Sequence, residues 1–135
     1  MTIMTYGVHV GPAQIKFLVD TGSPWIAISP GDAARLNIPV SSLPKAPEYV
    51  NVRFAGHNFQ RHLLSNVKVY LRNEKGKFIR VNLESVSVLK STKKLSEEAK
   101  QIPSVLGSDF LIMSKLRLCF DPSNKEGFFE KAAEV

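Results

Sequence analysis

Apolar and polar residues alternate over short stretches of this chain, and a period of two is the pattern of β-strands. A first strand is predicted for residues 3–10 and a second for residues 13–19, where every second residue is apolar. The pair Gly11-Pro12 between them favours a turn. This segment is therefore predicted to be a β-hairpin whose second strand ends at Asp20.

Most of the remaining chain is also predicted to form short strands separated by polar turns. The predicted strands are residues 25–29, 49–54, 59–64, 67–71, 78–89, 105–106 and 116–120. One or two short helices are predicted, at residues 29–36 and 108–114, with a further helical turn at 96–100 inside a polar loop. Residues 39–48 contain three prolines and are predicted to be an extended connector. The predicted fold class is mainly β.

The size and composition are typical of one globular domain. The chain has 135 residues, of which 44% are hydrophobic and 22% charged. We expect residues 1–124 to form the domain and residues 125–135 to be a C-terminal tail, either at a dimer interface or disordered. No apolar run is long enough for a transmembrane helix, and the first residues lack the pattern of a signal peptide. The single Cys119, expected in the core, cannot form an internal disulfide, which favours a reducing, cytoplasmic setting.

The net charge of +6 does not indicate a nucleic-acid partner. Nucleic-acid-binding proteins cluster their basic residues and interleave aromatic ones, and neither pattern is evident here. His57 and His62 are not accompanied by further His or Cys residues at the spacing of a metal site, so both are expected to be solvated. Neither a metal nor a cofactor is expected.

One carboxylate stands in an unusual position. Asp20, Thr21 and Gly22 lie between two apolar runs, residues 17–19 and 25–28, which both favour buried strands. A carboxylate at the end of a buried strand is costly unless it is paired or hydrogen-bonded, so a chain that keeps one there is predicted to use it. The plain alternative is a β-turn, since Asp and Gly both favour turns.

The other aspartates have sufficient structural explanations. Asp32 and Asp109 fall in the first turns of predicted helices, where a carboxylate interacts favourably with the helix dipole. Asp121 precedes a proline and is predicted to end a strand. Asp20 is therefore the catalytic candidate.

Three stretches of the chain together resemble the retropepsin group of aspartic proteases, the retroviral-type enzymes and their cellular relatives. They are residues 17–23, which hold Asp-Thr-Gly-Ser, residues 26–38, and residues 105–111, which hold an apolar pair and a glycine before a helix. The first and third stretches are specific in combination, although neither is so by itself. The resemblance covers most of residues 3–121.

The resemblance implies a small closed β-barrel with a ψ-shaped active-site loop and a mobile β-hairpin flap. It also implies a homodimer in which each chain contributes one Asp20, because the chain has a single Asp-Thr-Gly motif. The implied activity is aspartic endopeptidase hydrolysis of a peptide or protein substrate. Two carboxylates about 3 Å apart share one proton, so one takes a proton from water while the other donates to the substrate carbonyl.

The resemblance assigns roles to further residues. The Thr21 hydroxyl would brace the two loops across the dimer axis, and Gly22 would let the backbone turn closely beside the substrate. Ser23 would hydrogen-bond the catalytic carboxylate and contribute to substrate binding. Leu106 and Gly107 would pack behind the catalytic turn.

The flap tip is predicted at Ala55, Gly56 and His57, in a turn whose neighbours are apolar. The alternative is the charged turn at residues 73–76, which suits the cover of an apolar peptide less well. Both turns contain residues that tolerate turn dihedral angles.

The chain departs from the retroviral pattern at several positions. Ser23 stands where retroviral members often have Ala, and Ser108 and Pro24-Trp25 stand where many have an arginine and acidic residues. Bracing by that arginine is therefore not expected. Two other hypotheses stay open: a non-catalytic peptide-binding or assembly module on the same fold, and an unrelated small β-barrel in which Asp20 is a turn residue.

Overall fold

One curled β-sheet of eight strands forms most of the part of the chain that the structure describes, which is residues 2–5, 13–72, 78–124 and 126–131 of a computed structural model. Three short α-helices, one 3₁₀ turn (Val40–Ser42) and a two-stranded sheet accompany it in these residues. The 3₁₀ turn interrupts the connector that was predicted to be extended. The strands are β1 (Thr2–Thr5), β2 (Ala13–Ile15), β3 (Phe17–Val19), β4 (Ala27–Ile28), β5 (Asn51–Phe54), β6 (His57–Arg72), β7 (Phe78–Ser91), β8 (Ser104–Leu106), β9 (Leu116–Asp121) and β10 (Glu126–Lys131); the helices are α1 (Pro30–Arg35), α2 (Glu97–Lys100) and α3 (Ser108–Ser114). The predicted mainly β class is confirmed.

The large sheet curls because its two end strands are consecutive in the chain. Its order is β2-β1-β6-β7-β4-β8-β3, with β5 paired to β6. Only Lys16 separates β2 from β3, although they stand at opposite ends of this order. The prediction of one strand over residues 13–19 is wrong at Lys16, because the chain changes its pairing partner there. β2 pairs with β1 as the predicted hairpin requires, and β3 pairs with β8.

A long hairpin of β6 and β7 forms the centre of the sheet. The two strands predicted at residues 59–64 and 67–71 are one continuous strand, which pairs with β7 in a single register. Asn66, at the predicted break, adopts a positive φ of 57° without ending the strand, and Asn tolerates this conformation better than most residues. The charged turn at residues 73–76, the alternative flap tip, lies outside the described residues.

Serine caps begin the first two helices, at the positions where the predicted helices start. The Ser29 hydroxyl accepts a hydrogen bond from the amide of Asp32 (3.2 Å), and the Ser96 hydroxyl accepts one from the amide of Ala99 (3.1 Å). Such caps satisfy amides that have no partner within the helix. Helix α3 follows Gly107 directly. Of the described helices, none has the length and apolar character needed to cross a lipid bilayer.

The core lies between the curled sheet and helices α1 and α3. Its largest fully buried members include Ile26, Ile28 and Phe110, and full burial of such a side chain contributes about 1.5–3 kcal/mol. A second cluster surrounds Phe59 and Leu89, and apolar residues of β5 pack against it. The two clusters hold β4 and β8, which flank the Asp20 loop, in fixed positions.

The C-terminal strand β10 pairs with β9 in an antiparallel two-stranded sheet. The ring of Phe129 lies 5.6 Å from that of Phe110 in an edge-to-face arrangement, so Phe129 of the predicted tail packs on the core. Cys119 is half-buried on the face of β9 that also carries exposed Arg117. The expectation that Cys119 is a core residue is therefore wrong.

Candidate active site

The loop that carries Asp20 joins β3 to β4, and β8 runs between these two strands. β8 is parallel to β3 and antiparallel to β4, where Ala27 stands opposite Val105. The Asp20 amide donates a hydrogen bond to the carbonyl oxygen of Leu106 (3.0 Å). Two strands and their connecting loop thus enclose a third strand, which is the ψ shape that the resemblance implies.

The half-buried Asp20 side chain is oriented by its own turn. Its Oδ1 accepts a hydrogen bond from the amide of Gly22 (3.0 Å), and the Asp20 carbonyl oxygen accepts one from the amide of Ser23 (3.0 Å). A β-carbon at position 22 would lie 3.2 Å from the same Oδ1. Glycine therefore leaves room for the carboxylate, and Thr21 beside it is exposed.

The Ser23 hydroxyl does not bond the Asp20 carboxylate, as the resemblance implies that it would. It donates to the carbonyl oxygen of Trp25 (3.3 Å) rather than to the Asp20 carboxylate. Ser23 therefore shapes the loop, while Asp20 is oriented by backbone groups.

The strand before Asp20 is more exposed than its alternation predicts. Leu18 and Val19 are 53% and 38% exposed, and Phe17 is half-buried. The prediction of a buried strand at this point is wrong, because β3 is the last strand in the sheet order and pairs with β8 on one side. An apolar surface therefore lies directly beside the catalytic candidate.

Helix α3 supports the loop from behind through backbone contacts. The amide of Ser108 donates to the carbonyl oxygen of Ser23 (2.8 Å), and the amide of Asp109 donates to that of Pro24 (3.3 Å). A β-carbon at Gly107 would lie 2.5 Å from the Ser23 carbonyl oxygen, and closer still to that of Trp25. Only glycine permits this approach, so amides and a glycine support the loop where many retroviral members use an arginine.

Asp109 is more than a residue at the start of a helix, because its carboxyl group lies beneath the loop. Burial raises its pKa, while hydrogen bonds from backbone amides, that of Ile26 foremost, and the charge of Arg61 oppose the rise. Its Oδ1 is buried without a hydrogen-bond partner among the described residues. A carboxyl group so placed binds a proton more readily in the folded chain than in the unfolded one.

We expect the Asp109→Asn variant to change how stability depends on pH. Because the folded-state pKa of Asp109 is raised, wild-type stability falls as pH increases from about 4 through that pKa, and the full penalty is present above it. The variant lacks this contribution, so its stability relative to wild type should increase from about pH 4 to about pH 7. Urea unfolding across this range measures the difference, and a difference independent of pH would contradict the prediction.

The β5–β6 hairpin and the Asp20 loop together enclose a cavity of about 230 Å³. Asp20 lines this cavity, and so do Gly22 and Ser23. Six of the other lining residues are apolar: Trp25, Ala27, Val52, Phe54, Leu89 and Val105. The arrangement places a carboxylate in a largely apolar cleft between a hairpin and a loop.

The hairpin turns at Ala55 and Gly56, which both have positive φ (50° and 79°). His57 begins β6 opposite Phe54. Gly56 and His57 line a separate cavity near residues 91–94 rather than the Asp20 cavity. The structure therefore brings the strand residues of this hairpin to the candidate site, and its tip lies to one side.

Sequence reasoning missed several residues of the cavity wall. Val52 and Phe54 belong to a correctly placed strand, and their alternation could have identified the face that they share. Trp25 is three residues beyond the motif, so its position was a usable signal. Arg61 and Pro103 carry no comparable signal, because only the tertiary fold brings them to the cavity.

Of the two histidines that were expected to be solvated, His62 is buried. His62 is 3% exposed, and its Nδ1 lies 2.9 Å from the carbonyl oxygen of Leu43. The expectation that it is solvated is wrong, because β6 continues past the turn and the connector packs against it. In the residues that the structure covers, no three His, Cys, Asp or Glu side chains are grouped as they would be around a metal ion.

A solved structure with a similar fold is that of a retropepsin-like aspartic protease from Rickettsia conorii. It aligns with a TM-score of 0.51 over 96% of this chain and 89% of that chain, and 20% of the residues are identical. At this identity the likeness shows the fold only. No protein-family model matches the chain, and no curated protein matches its sequence.

Proposed function

We propose that this chain is one subunit of a homodimeric aspartic endopeptidase. The observation that carries the proposal is the position of Asp20, in a ψ-shaped loop that faces an apolar cavity enclosed by a β-hairpin. The fold shared with a retropepsin-like aspartic protease supports it. In this proposal Asp20 is the catalytic residue, and Thr21 and Gly22 complete the catalytic turn.

The chemistry requires a second Asp20 from another copy of the chain. Two carboxylates about 3 Å apart hold one proton between them, because both cannot carry a charge at that distance. The charged carboxylate takes a proton from a water molecule, and the oxygen of that water forms a bond to the peptide carbonyl carbon. The protonated carboxyl group donates its proton to the carbonyl oxygen. As the C–N bond breaks, the carboxyl group that gained a proton donates it to the leaving nitrogen, and the other carboxylate takes a proton from a hydroxyl of the tetrahedral intermediate. The products are a carboxylic acid and an amine, and the pair holds one proton throughout.

The exposed apolar residues around the Asp20 loop favour a second copy as the partner. Leu18 and Val19 precede the loop, and Ile112 and Met113 project from α3, which follows Gly107. Contiguous patches of exposed apolar side chains mark interaction surfaces in many proteins, and Leu18 and Val19 are adjacent in the chain. A two-fold axis close to Thr21 would cover Leu18 and Val19 and bring the two loops together, and the β10 tail is a further candidate for the interface.

The proposed substrate is an extended peptide with apolar side chains. Val52 and Phe54 of β5 line the cavity together with Trp25 and Val105. In this proposal the β5–β6 hairpin is a flap: it opens to admit the peptide and closes to exclude water from the reacting groups. Ala55, Gly56 and His57 at its tip would contact the substrate or the partner subunit only in the closed dimer.

The decisive test combines the oligomeric state with cleavage. Sedimentation velocity should show a dimer, and the same preparation should cleave an unfolded protein between apolar residues, with activity lost at alkaline pH when the shared proton is removed. A monomer that binds peptides without cleaving them would instead support a non-catalytic peptide-binding module on the same fold.

The Gly56→Val variant should test the flap. A β-branched residue at a φ of 79° costs about 1–2 kcal/mol, so the turn is expected to shift and kcat/KM to fall by about 5–30-fold. The control is Lys115→Val, which places a β-branched residue at a φ of 56° after α3, away from the hairpin; its added strain is smaller, because Lys115 already adopts this φ. If both variants lose activity equally, the loss reflects lower stability of the fold, and this result would count against the hairpin as a flap.

A further inference from the structure

A buried arginine stands in the wall of the Asp20 cavity. Arg61, on β6, is 8% exposed and lines this cavity together with Trp25. A buried guanidinium is costly unless its N–H groups are paired, so its contacts indicate its role.

Three N–H groups of Arg61 donate to oxygen atoms of two separate segments. Nη2 donates to the carbonyl oxygen of Glu48 (2.7 Å), Nε to that of Tyr49 (3.3 Å) and Nη1 to the Ser87 hydroxyl (3.0 Å). Burial lowers the pKa of Arg61, and the charges of Asp109 and Glu48 oppose this effect. Arg61 therefore ties the segment before β5 to strand β7 through uncharged acceptors.

The same guanidinium lies over the ring of Trp25. Its Cζ is 4.4 Å from the indole centroid, a cation–π contact that is stronger when water is excluded. The ring of Tyr49 is 5.7 Å from that of Trp25 and tilted by 49°. Because Trp25 belongs to the Asp20 loop, one buried charge connects this loop to β6, to β7 and to the segment before β5.

We propose that Arg61 is a positioning residue that fixes the Trp25 indole as a wall of the Asp20 cavity. The three hydrogen bonds of Arg61 fix the position of its guanidinium, and the cation–π contact with the guanidinium fixes the orientation of the Trp25 indole. The cavity thereby keeps a fixed shape for a substrate side chain near the scissile bond. The effect on cleavage rests on the proposed function, whereas the effect on Trp25 does not.

The Arg61→Lys variant separates this role from that of a buried charge alone. Lysine keeps the positive charge but lacks the planar face that stacks on the indole and the fork that reaches three acceptors. Ser87→Ala is a milder variant, since it removes only the acceptor of Nη1. Arg80→Lys is the matched control, because Arg80 is exposed on β7 and does not line the Asp20 cavity.

Tryptophan fluorescence provides the first measurement, because Trp25 is the one tryptophan in the sequence. In Arg61→Lys we expect emission at longer wavelength and an acrylamide quenching constant raised about twofold, because the ring loses its stacked partner and meets solvent. Ser87→Ala should change both in the same direction by less, and Arg80→Lys should match wild type. Unchanged fluorescence in folded Arg61→Lys would overturn the proposal.

Cleavage kinetics provide the second measurement. We expect KM of Arg61→Lys to rise about tenfold with kcat within about twofold of wild type, because the wall binds substrate and takes no part in proton transfer. A loss confined to kcat would overturn the proposal. If Arg61→Lys does not fold, the same measurements on Ser87→Ala decide whether Arg61 positions the Trp25 ring. If wild type does not cleave, the endopeptidase proposal fails, and Trp25 fluorescence still decides the role of Arg61.

Discussion

The Asp20→Asn variant is expected to lose peptide-bond cleavage while it keeps its fold and its oligomeric state. An amide can neither take a proton from water nor share one with a second carboxylate, so kcat should fall by at least about 10²–10⁴-fold. The side-chain contact of Asp20 within its turn is the Gly22 amide bonded to Oδ1. The oxygen of asparagine can accept the same hydrogen bond, so the free energy of unfolding should change by no more than about 0.5 kcal/mol.

Cleavage of an unfolded protein substrate, thermal unfolding and sedimentation velocity on the same preparation measure the three properties. Glu98→Gln is the matched control, since it makes the same change of carboxylate to amide at an exposed position on α2. It should retain wild-type kinetics. Cleavage by Asp20→Asn at the wild-type rate would refute the assignment of Asp20, whatever the stability of the variant.

The Gly107→Ala variant is expected to cause the largest loss of stability among single substitutions at the site. Its β-carbon would press on the carbonyl oxygens of Ser23 and Trp25, which are backbone atoms and cannot rotate away. Forced overpacking of this kind costs about 1–3 kcal/mol or more, which corresponds to a fall in Tm of roughly 5–15 °C. Because the loop itself must move, the folded fraction should also lose most of its cleavage activity.

Gly31→Ala is the matched control for this loss. Its β-carbon would press on the backbone carbonyl oxygen of Lys100, where α1 approaches α2. We expect a comparable fall in Tm, measured by circular dichroism, but wild-type KM and kcat per folded molecule. A Gly107→Ala variant with wild-type Tm would contradict the close approach of α3 to the Asp20 loop.

Local sequence signals predicted most of the elements correctly. The caps at Ser29 and Ser96 depend on contacts within three residues, so the sequence pattern contains all the information that they need. The same is true of the two-residue turn at Ala55 and Gly56. The strands that form the long β6–β7 hairpin were predicted from alternation, although the polar residues near Asn66 wrongly predicted a break.

Signals that depend on distant partners were misjudged. The apolar run before Asp20 predicted a buried strand, but Leu18 is exposed because no neighbouring strand covers it in the described chain. Asp109 was explained by its own helix, while burial beneath the loop governs its pKa. Arg61 looked like an ordinary strand residue, since nothing nearby in the sequence indicates the Trp25 ring that it covers.

The sequence by itself determined the mainly β class and the turn around Asp20, because each depends on residue type and near neighbours. The need for a glycine at position 107 comes instead from the carbonyl groups of Ser23 and Trp25, which only the fold brings close. Only the tertiary structure decided that β8 runs between β3 and β4, and that the chain changes its pairing partner at Lys16. Strand pairing joins residues far apart in the chain through backbone groups that all residues share, so the pattern of side chains specifies it only weakly. The cavity beside Asp20 is a product of that pairing.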